Sequence, residues 1–425
     1  GGRDTLAGGG GFDTVSFAER TTSVSVNVAT GTEANSLSSF SGFEAVAGSG
    51  FDDNITGDGS ANDLRGLAGD DVIAAAGGDD TVNGGLGDDD LDGGSGVDLA
   101  SFAGGAAVVA SLATGQASGQ GSDTLAGFEG LVGSSFNDSL TGDAGNNLID
   151  GGAGGRDTLA GGGGFDTVSF ASRTSSVSVN VATGTEANSL STFSGFEAVA
   201  GSSFGDNLVG DGGANWLDGS AGDDVVLGAA GNDTILGGLG DDDLDGGTGT
   251  DLVSYASASN AVVVNLATGQ ASGQGSDTLA GFEGLVGSAF NDSLTGDAGN
   301  NILNVGSAGR DTVVGGAGFD TVSFASRTSS VSVNLATDTE ANSLSTFTGV
   351  EAALGTGFDD NLIGDGDANW LGGGAGDDVI LGGAGADTIN GGAGDDDLDG
   401  GIGFDLVSYD SASNAVVANL ATGQA

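Results

Sequence analysis

The sequence predicts an all-β solenoid of short strands stacked coil on coil, with almost no helix. Three observations carry that expectation. A unit of about 153 residues returns nearly verbatim along the chain, and inside it the pattern repeats every nine residues. No stretch sustains the 3.6-residue apolar spacing of an amphipathic helix. Repetition on two such scales points to stacked supersecondary elements rather than separate globular domains.

The long repeat opens with GGRDTLAGGGGFDTVSFA at Gly1, which recurs almost unchanged at Gly154, and GRDTVVGGAGFDTVSFA begins at Gly309. Arg3 and Arg156 are 153 residues apart, and Arg156 and Arg310 are 154 apart. The short repeat is clearest at Gly48–Ser101, where six nonapeptides follow without a break. Six-repeat blocks return at 201–254 and 355–408, and four-repeat blocks lie at 133–169 and 287–323. With a partial block at 2–16 there are 27 nonapeptides. The third member of each four-repeat block is ten residues long, which moves its acid to Asp157 or Asp311. The spacers are 17–47, 102–132, 170–200, 255–286, 324–354 and 409–425. Complete spacers carry a β-branched stretch such as SVSVNV at Ser23–Val28, which reads as a strand. They close on an aromatic–acid pair such as Phe43-Glu44 or Phe282-Glu283. The expectation is one continuous solenoid over 1–425. The chain has no Met and starts and ends inside a repeat, so it reads as a segment of a longer polypeptide.

Each position of the nonapeptide has a physical reading. Glycines allow positive φ, which turns loop carbonyls inward. Asp or Asn at position six adds an acid or amide, as at Asp53, Asn62, Asp71, Asp80, Asp89 and Asp98. Position eight is apolar, as at Ile55, Leu64, Ile73, Val82, Leu91 and Ala100, and points into the core. Carbonyls plus carboxylates are the hard oxygen donors that Ca²⁺ prefers. Composition narrows the chemistry further. Gly supplies 89 of 425 residues, there is no Cys, His, Lys, Met or Pro, and the formal net charge is −53. Thiol and imidazole catalysis, zinc clusters and Schiff-base chemistry are thereby excluded for this chain. A surface this acidic repels nucleic acid and anionic membranes.

The motif GGxGxDxUx, with U a large aliphatic, resembles the RTX or hemolysin-type calcium-binding repeat, and the resemblance runs through all 27 nonapeptides. It implies a right-handed parallel β-roll or β-helix, with two short strands per turn of about 18 residues. It also implies ions bridging successive loops on the same side. The acids it marks as ligands are Asp13, then Asp53, Asp71, Asp80, Asp89 and Asp98. The first four-repeat block adds Asp138, Asp157 and Asp166. The next block adds Asp206, Asp224, Asp233, Asp242 and Asp251, followed by Asp292, Asp311 and Asp320. The last adds Asp360, Asp378, Asp387, Asp396 and Asp405. Carbonyl ligands are expected at Gly69, Gly87, Gly222, Gly240, Gly376 and Gly394. Roughly 16 to 27 Ca²⁺ ions would bring about +32 to +54 of charge against −53, so folding is expected to be coupled to calcium.

The resemblance further implies type I secretion, and the near-identical long repeat with its lack of catalytic residue types points to an extracellular, non-enzymatic structural role on a bacterial surface: S-layer, filament or adhesin shaft. Self-association and contact with cell-surface polysaccharide are the partners expected. The alternative is a calcium-binding module of a secreted protease, lipase or epimerase whose catalytic domain lies elsewhere.

Several departures have their own readings. The second nonapeptide carries Asn62, Asn147, Asn215, Asn301 or Asn369 at position six, and regains an acid at position two. These coils are expected to bind weakly or to mark block boundaries. Phe51, Phe136, Phe204, Phe290 and Phe358 replace the position-four glycine and are expected to plug the core. Trp216 and Trp370, at position seven, should face outward, as local cover or as a lateral or carbohydrate contact. Asp88–Asp92 imitates an EF-hand loop, but the twelfth position is Leu99 where Glu is required. The many GxGxxG strings are expected by chance at this glycine content, and the paired acids are periodic, unlike a glycosidase pair.

Overall fold

A computed structural model describes residues 3–410. Gly2 of the first block and all but two residues of the last spacer fall outside them. The described residues form fifty strands, most of three residues, and one 3₁₀ turn at Leu335–Thr337, as the all-β reading expects. They divide into two compact units. One comprises Gly1–Asp211 with Asn215–Gly219, and the other Gly212–Ala214 with Ser220–Ala425.

In each unit one face is an uninterrupted parallel ladder. In the first unit it runs from Thr14–Ser16 through Ala45–Ala47, Asp63–Ala68, Thr81–Leu86 and Leu99–Ser101. It continues through Gly130–Val132, Leu148–Asp150, Thr167–Ser169 and Ala198–Ala200 to Trp216–Asp218. The second unit repeats this from Thr234–Leu236 to Leu406–Val407. The register is the nonapeptide doubled: Leu64 pairs with Val82, 18 residues on. In the four-repeat blocks Ile149 pairs with Val168, 19 residues on, because of the ten-residue member. Strands fall at positions seven to nine, and position eight alone faces inward. Leu64, Ile73, Val82 and Ala100 are accordingly 0 % exposed.

The opposite face changes direction at every complete spacer. Asp90–Asp92 pairs in parallel with Ser122–Ala126. That strand runs antiparallel to Gln116–Ser118, which is antiparallel to Val109–Ser111. Parallel stacking then resumes at Ser139–Thr141. The spacer therefore contributes one full coil, Ser122–Ala126 with Gly130–Val132, plus two extra strands on one face only. Local chemistry sets the hairpin. The Asn180 side chain accepts from the Thr183 N–H at 2.8 Å, and Gly184 takes φ +61° where an added Cβ would strike the Phe193 carbonyl.

The aromatic residues that fill the core belong to the spacers: Phe17, Phe102, Phe170, Tyr255 and Phe324, which open them, are buried, as are Phe40, Phe193 and Phe347 within them. The expected plugs are not. Phe51, Phe136, Phe204, Phe290 and Phe358 are 42–53 % exposed. Position four lies on the outer corner of the loop. In the first of these coils the Phe51 backbone lies directly under Gly69 of the next coil, and the Phe136 carbonyl lies under Gly155. The ring is left only the outward direction.

Candidate metal centre

Loops of six residues join the short strands, and each turn holds two, so the position-six acids form two rows. One oxygen of each acid is held by the preceding coil. Asp71 Oδ1 accepts the Asp53 N–H at 2.7 Å, and Asp89 Oδ1 accepts that of Asp71 at 2.9 Å. Asp80 Oδ1 accepts from Asn62 and Asp98 Oδ1 from Asp80. In the second unit Asp242 and Asp251 are held by Asp224 and Asp233. Asp378, Asp387, Asp396 and Asp405 are held by Asp360, Asn369, Asp378 and Asp387.

The other oxygen is a different matter. Oδ2 of Asp13, Asp71, Asp80 and Asp98 is buried without a hydrogen-bond partner, as is that of Asp242, Asp251, Asp320, Asp378 and Asp387. An ionised oxygen left in that state is costly unless a cation meets it. Burial pushes the Asp71 carboxyl up to about 7 against the hydrogen bond it accepts from Asp53, with Asp89, Asp53 and Asp52 adding repulsion. Asp80, Asp89, Asp242 and Asp378 rise to about 6, again chiefly through burial.

Beside these oxygens runs a column of main-chain carbonyls. Gly69, Gly87, Gly222, Gly240, Gly376 and Gly394 all take φ between +114° and +145°. A Cβ added to Gly87, Gly240 or Gly394 would strike the carbonyl oxygen of Gly69, Gly222 or Gly376 respectively. At position one, a Cβ on Gly66, Gly84 or Gly373 would strike Oδ2 of Asp71, Asp89 or Asp378. Unpartnered carboxylate oxygens beside a carbonyl column are a donor set that fits Ca²⁺. Among the described residues no three acidic side chains converge on one point. The donor set is accordingly one acid per loop, completed by the backbone.

Not every acid marked by the sequence is open in this way. Asp53, Asp138, Asp206, Asp292 and Asp360 each hold a main-chain N–H on Oδ2, from Ser49, Ser134, Ser202, Ser288 or Thr356. The same residue adds its hydroxyl, at 2.8–3.0 Å from Oδ1. The Asn coils close alike: Asn62, Asn147, Asn215, Asn301 and Asn369 accept the N–H of their own position two. The backbone at position two decides the matter. In the later coils that residue has positive φ, as at Leu67 (84°), Ala76 (83°), Gly85 (103°) and Gly94 (99°). Its N–H then makes no bond to the acid of its own coil. In the opening coils position two is not in that region, and its N–H reaches the acid. The remaining acids Asp166, Asp224 and Asp233 are buried in the rows, while Asp396 and Asp405 lie half-buried in the last described coils.

The spacers add acids that the nine-residue period does not mark. Asp123 and Asp277 accept the N–H of Asp89 and Asp242. Glu44, Glu129, Glu197, Glu283 and Glu351 accept those of Asp13, Asp98, Asp166, Asp251 and Asp320. The tail of the motif was readable at Gly121-Ser-Asp123-Thr-Leu125. Other buried spacer acids need no cation. Burial pushes Glu186 up, but the Ser189 hydroxyl and main-chain N–H groups of Ser189, Asn188 and Ser178 outweigh it and hold the group below its usual range. Trp216 and Trp370 begin strands on the uninterrupted faces, and Trp216 is 43 % exposed.

The family model for the RTX calcium-binding nonapeptide repeat (4 copies) matches residues 1–16, 39–73, 65–100, 131–155, 200–235, 218–253, 285–308, 305–323, 354–388 and 372–407, more than half of the chain. No curated protein matches it.

Proposed function

The chain belongs to the family of RTX calcium-binding nonapeptide repeats, which bind calcium ions, and from that premise we propose that it is an extracellular structural protein of a bacterial surface. It serves as S-layer, filament or adhesin shaft, exported by type I secretion and folding on Ca²⁺ outside the cell. RTX repeat proteins are typically secreted. Among the described residues no helix is long and apolar enough to cross a membrane.

The observation that carries the reading is the near-identical 153-residue unit, in which the position-six acids recur in register from block to block. Calcium supplies the positive charge that lets these buried carboxylates stack. The residues that would hold it are the open acids Asp71, Asp80 and Asp98 and their counterparts, together with Asp89 and the position-four carbonyls. Outside the cell calcium is abundant and the coils close. Inside it they stay unfolded and can be exported. Exposed Phe51, Phe136 and Trp216 supply apolar points for lateral contact between copies. The segment performs no reaction of its own.

The test is a calcium titration of the chelator-stripped chain, followed by far-UV circular dichroism and light scattering together. A coil-to-β transition accompanied by particle growth supports a self-assembling coat or filament. The same transition at fixed monomer size supports a shaft or a module attached to an enzyme. No transition up to several millimolar calcium overturns the calcium-folding reading.

A further inference from the structure

Each unit holds one buried ion pair where a four-repeat block meets its spacer. Arg173 Nη2 lies 2.7 Å from Asp157 Oδ2, and its Nη1 donates to the Gly155 carbonyl at 3.4 Å. Arg327 repeats this with Asp311 Oδ2 at 2.6 Å and the Gly309 carbonyl at 3.0 Å. The guanidinium side chains are 8 % and 9 % exposed and both carboxylates 0 %. A row acid and the carbonyl two residues before it are the oxygen types that fit calcium elsewhere in the rows. Here the chain's own cation takes them.

The junctions after six-repeat blocks have the same main-chain bond but a different charge. There Asp89 and Asp242 donate their N–H groups to a second acid, Asp123 or Asp277. At the four-repeat junctions Asp157 and Asp311 donate instead to the hydroxyls of Ser191 and Ser345, both at 2.9 Å. The arginine stands three residues after the aromatic that opens its spacer, and its N–H bonds back to that aromatic's carbonyl. The equivalent residues after six-repeat blocks are Gly105 and Ala258, with the same main-chain bond. One kind of junction therefore carries two carboxylates and no cation. The other carries one carboxylate and a guanidinium. Asp242 Oδ2 is also among the buried oxygens without a partner.

We infer that Arg173 and Arg327 are built-in substitutes for calcium, so that the four-repeat junctions close without metal while the six-repeat junctions require it. Arginine suits the place because its planar, permanently charged fork can meet a carboxylate and a carbonyl together while being more weakly hydrated than an ammonium. The inference rests on calcium binding by the repeats and not on any surface role, so it stands or falls separately from the assembly assay.

The experiment is amide hydrogen exchange on the whole chain in excess chelator, read by segment. Amides of Thr158–Ala160, Ser191–Ser194, Thr312–Val314 and Thr346–Thr348 are expected to exchange at least tenfold more slowly than those of Asp90–Asp92, Ser122–Ala126, Asp243–Asp245 and Ser276–Ala280. Equal exchange in the two sets overturns the inference. In the R173Q/R327Q variant the slow set should vanish in chelator, while saturating calcium restores it with up to two more ions bound per chain by equilibrium dialysis. Slow exchange that survives in the chelated variant also overturns it.

Discussion

The two opening nonapeptides of a block and those that follow share a strand register and a core, yet treat their buried side chains in opposite ways. In the first, Asp53 has donors on both oxygens and Asn62 brings no charge at all. From the next coil on, Asp71, Asp80 and Asp98 each leave one buried oxygen unanswered. The difference comes from position two. Ser49 and Asp58 turn their N–H toward the loop, and Leu67 and Ala76, at positive φ, do not. A rotation at one residue decides whether a buried acid is satisfied by its own chain or waits for a foreign cation. Each block thus begins with coils that need no metal, against which the metal-dependent ones stack.

Calcium removal should break the comparison most visibly. In chelator the later coils lose their β signal, and in calcium the whole chain regains it. Far-UV circular dichroism reads the change, and retention of the full signal in chelator would deny any asymmetry. A smaller effect separates individual acids. The D71N/D80N variant should raise the calcium midpoint about tenfold, the equivalent of roughly 1.4 kcal/mol. D53N should leave that midpoint unchanged and lower stability toward urea by about 1–3 kcal/mol, the cost of a disrupted buried hydrogen bond. Equal shifts of the calcium midpoint in the two variants would erase the distinction. G85A tests the backbone origin. Its Cβ meets the Leu67 carbonyl at a φ of +103°, so the calcium-loaded protein should lose about 1–3 kcal/mol. S49A should cost about 1 kcal/mol without moving the calcium midpoint.

The smallest expected effect is that of pH on the metal-free chain, because two sets of acids oppose each other. Burial raises Asp71 to about 7, so its folded form holds a proton more firmly than the unfolded chain does. The stability it contributes is fully present below its ordinary value of 3.8 and is lost as pH rises through about 7. Glu186 and Glu340 are lowered, because their serine and main-chain donors outweigh burial. Their contribution is present above 4.5 and is lost as pH falls through the lowered folded value. Chelated protein should therefore be more structured near pH 5 than at pH 8, with the gain reversing in stronger acid. Circular dichroism across that range checks it, and a monotonic fall from pH 8 to pH 5 would contradict the open-acid assignment.

Much of this was legible in the sequence because a nine-residue period leaves each position one direction to face. Position eight had to be apolar, and Ile55, Leu64 and Ile73 are buried as read. The acids Asp71 and Asp80 were found by the same period. What the period could not show was anything settled between coils. Whether Asp53 is closed depends on the φ of Ser49, and serine alone does not announce it. The position-four phenylalanines were misread because apolar character suggests burial, whereas the loop corner gives Phe51 and Phe136 no route inward. The extra strands of a spacer can be as short as Thr32–Glu33, too short for any alternation to be counted. Arg173 lies 16 residues beyond Asp157, off the nonapeptide frame, and the same interval separates Asp4 from Arg20, which bonds to Ser36 instead, so spacing alone did not mark a pair.

Those pairs have a kinetic consequence. A stacked coil grows by adding neighbours to an existing one, and the slow event is the first contact, made before any neighbour can repay it. A chain that depended wholly on bound ions would have to order several loops and capture metal in the same step. Asp157 with Arg173 and Asp311 with Arg327 give each unit a seed whose charge is already balanced. From there the ladder can extend one rung at a time, so arriving calcium meets a half-made site rather than a free coil.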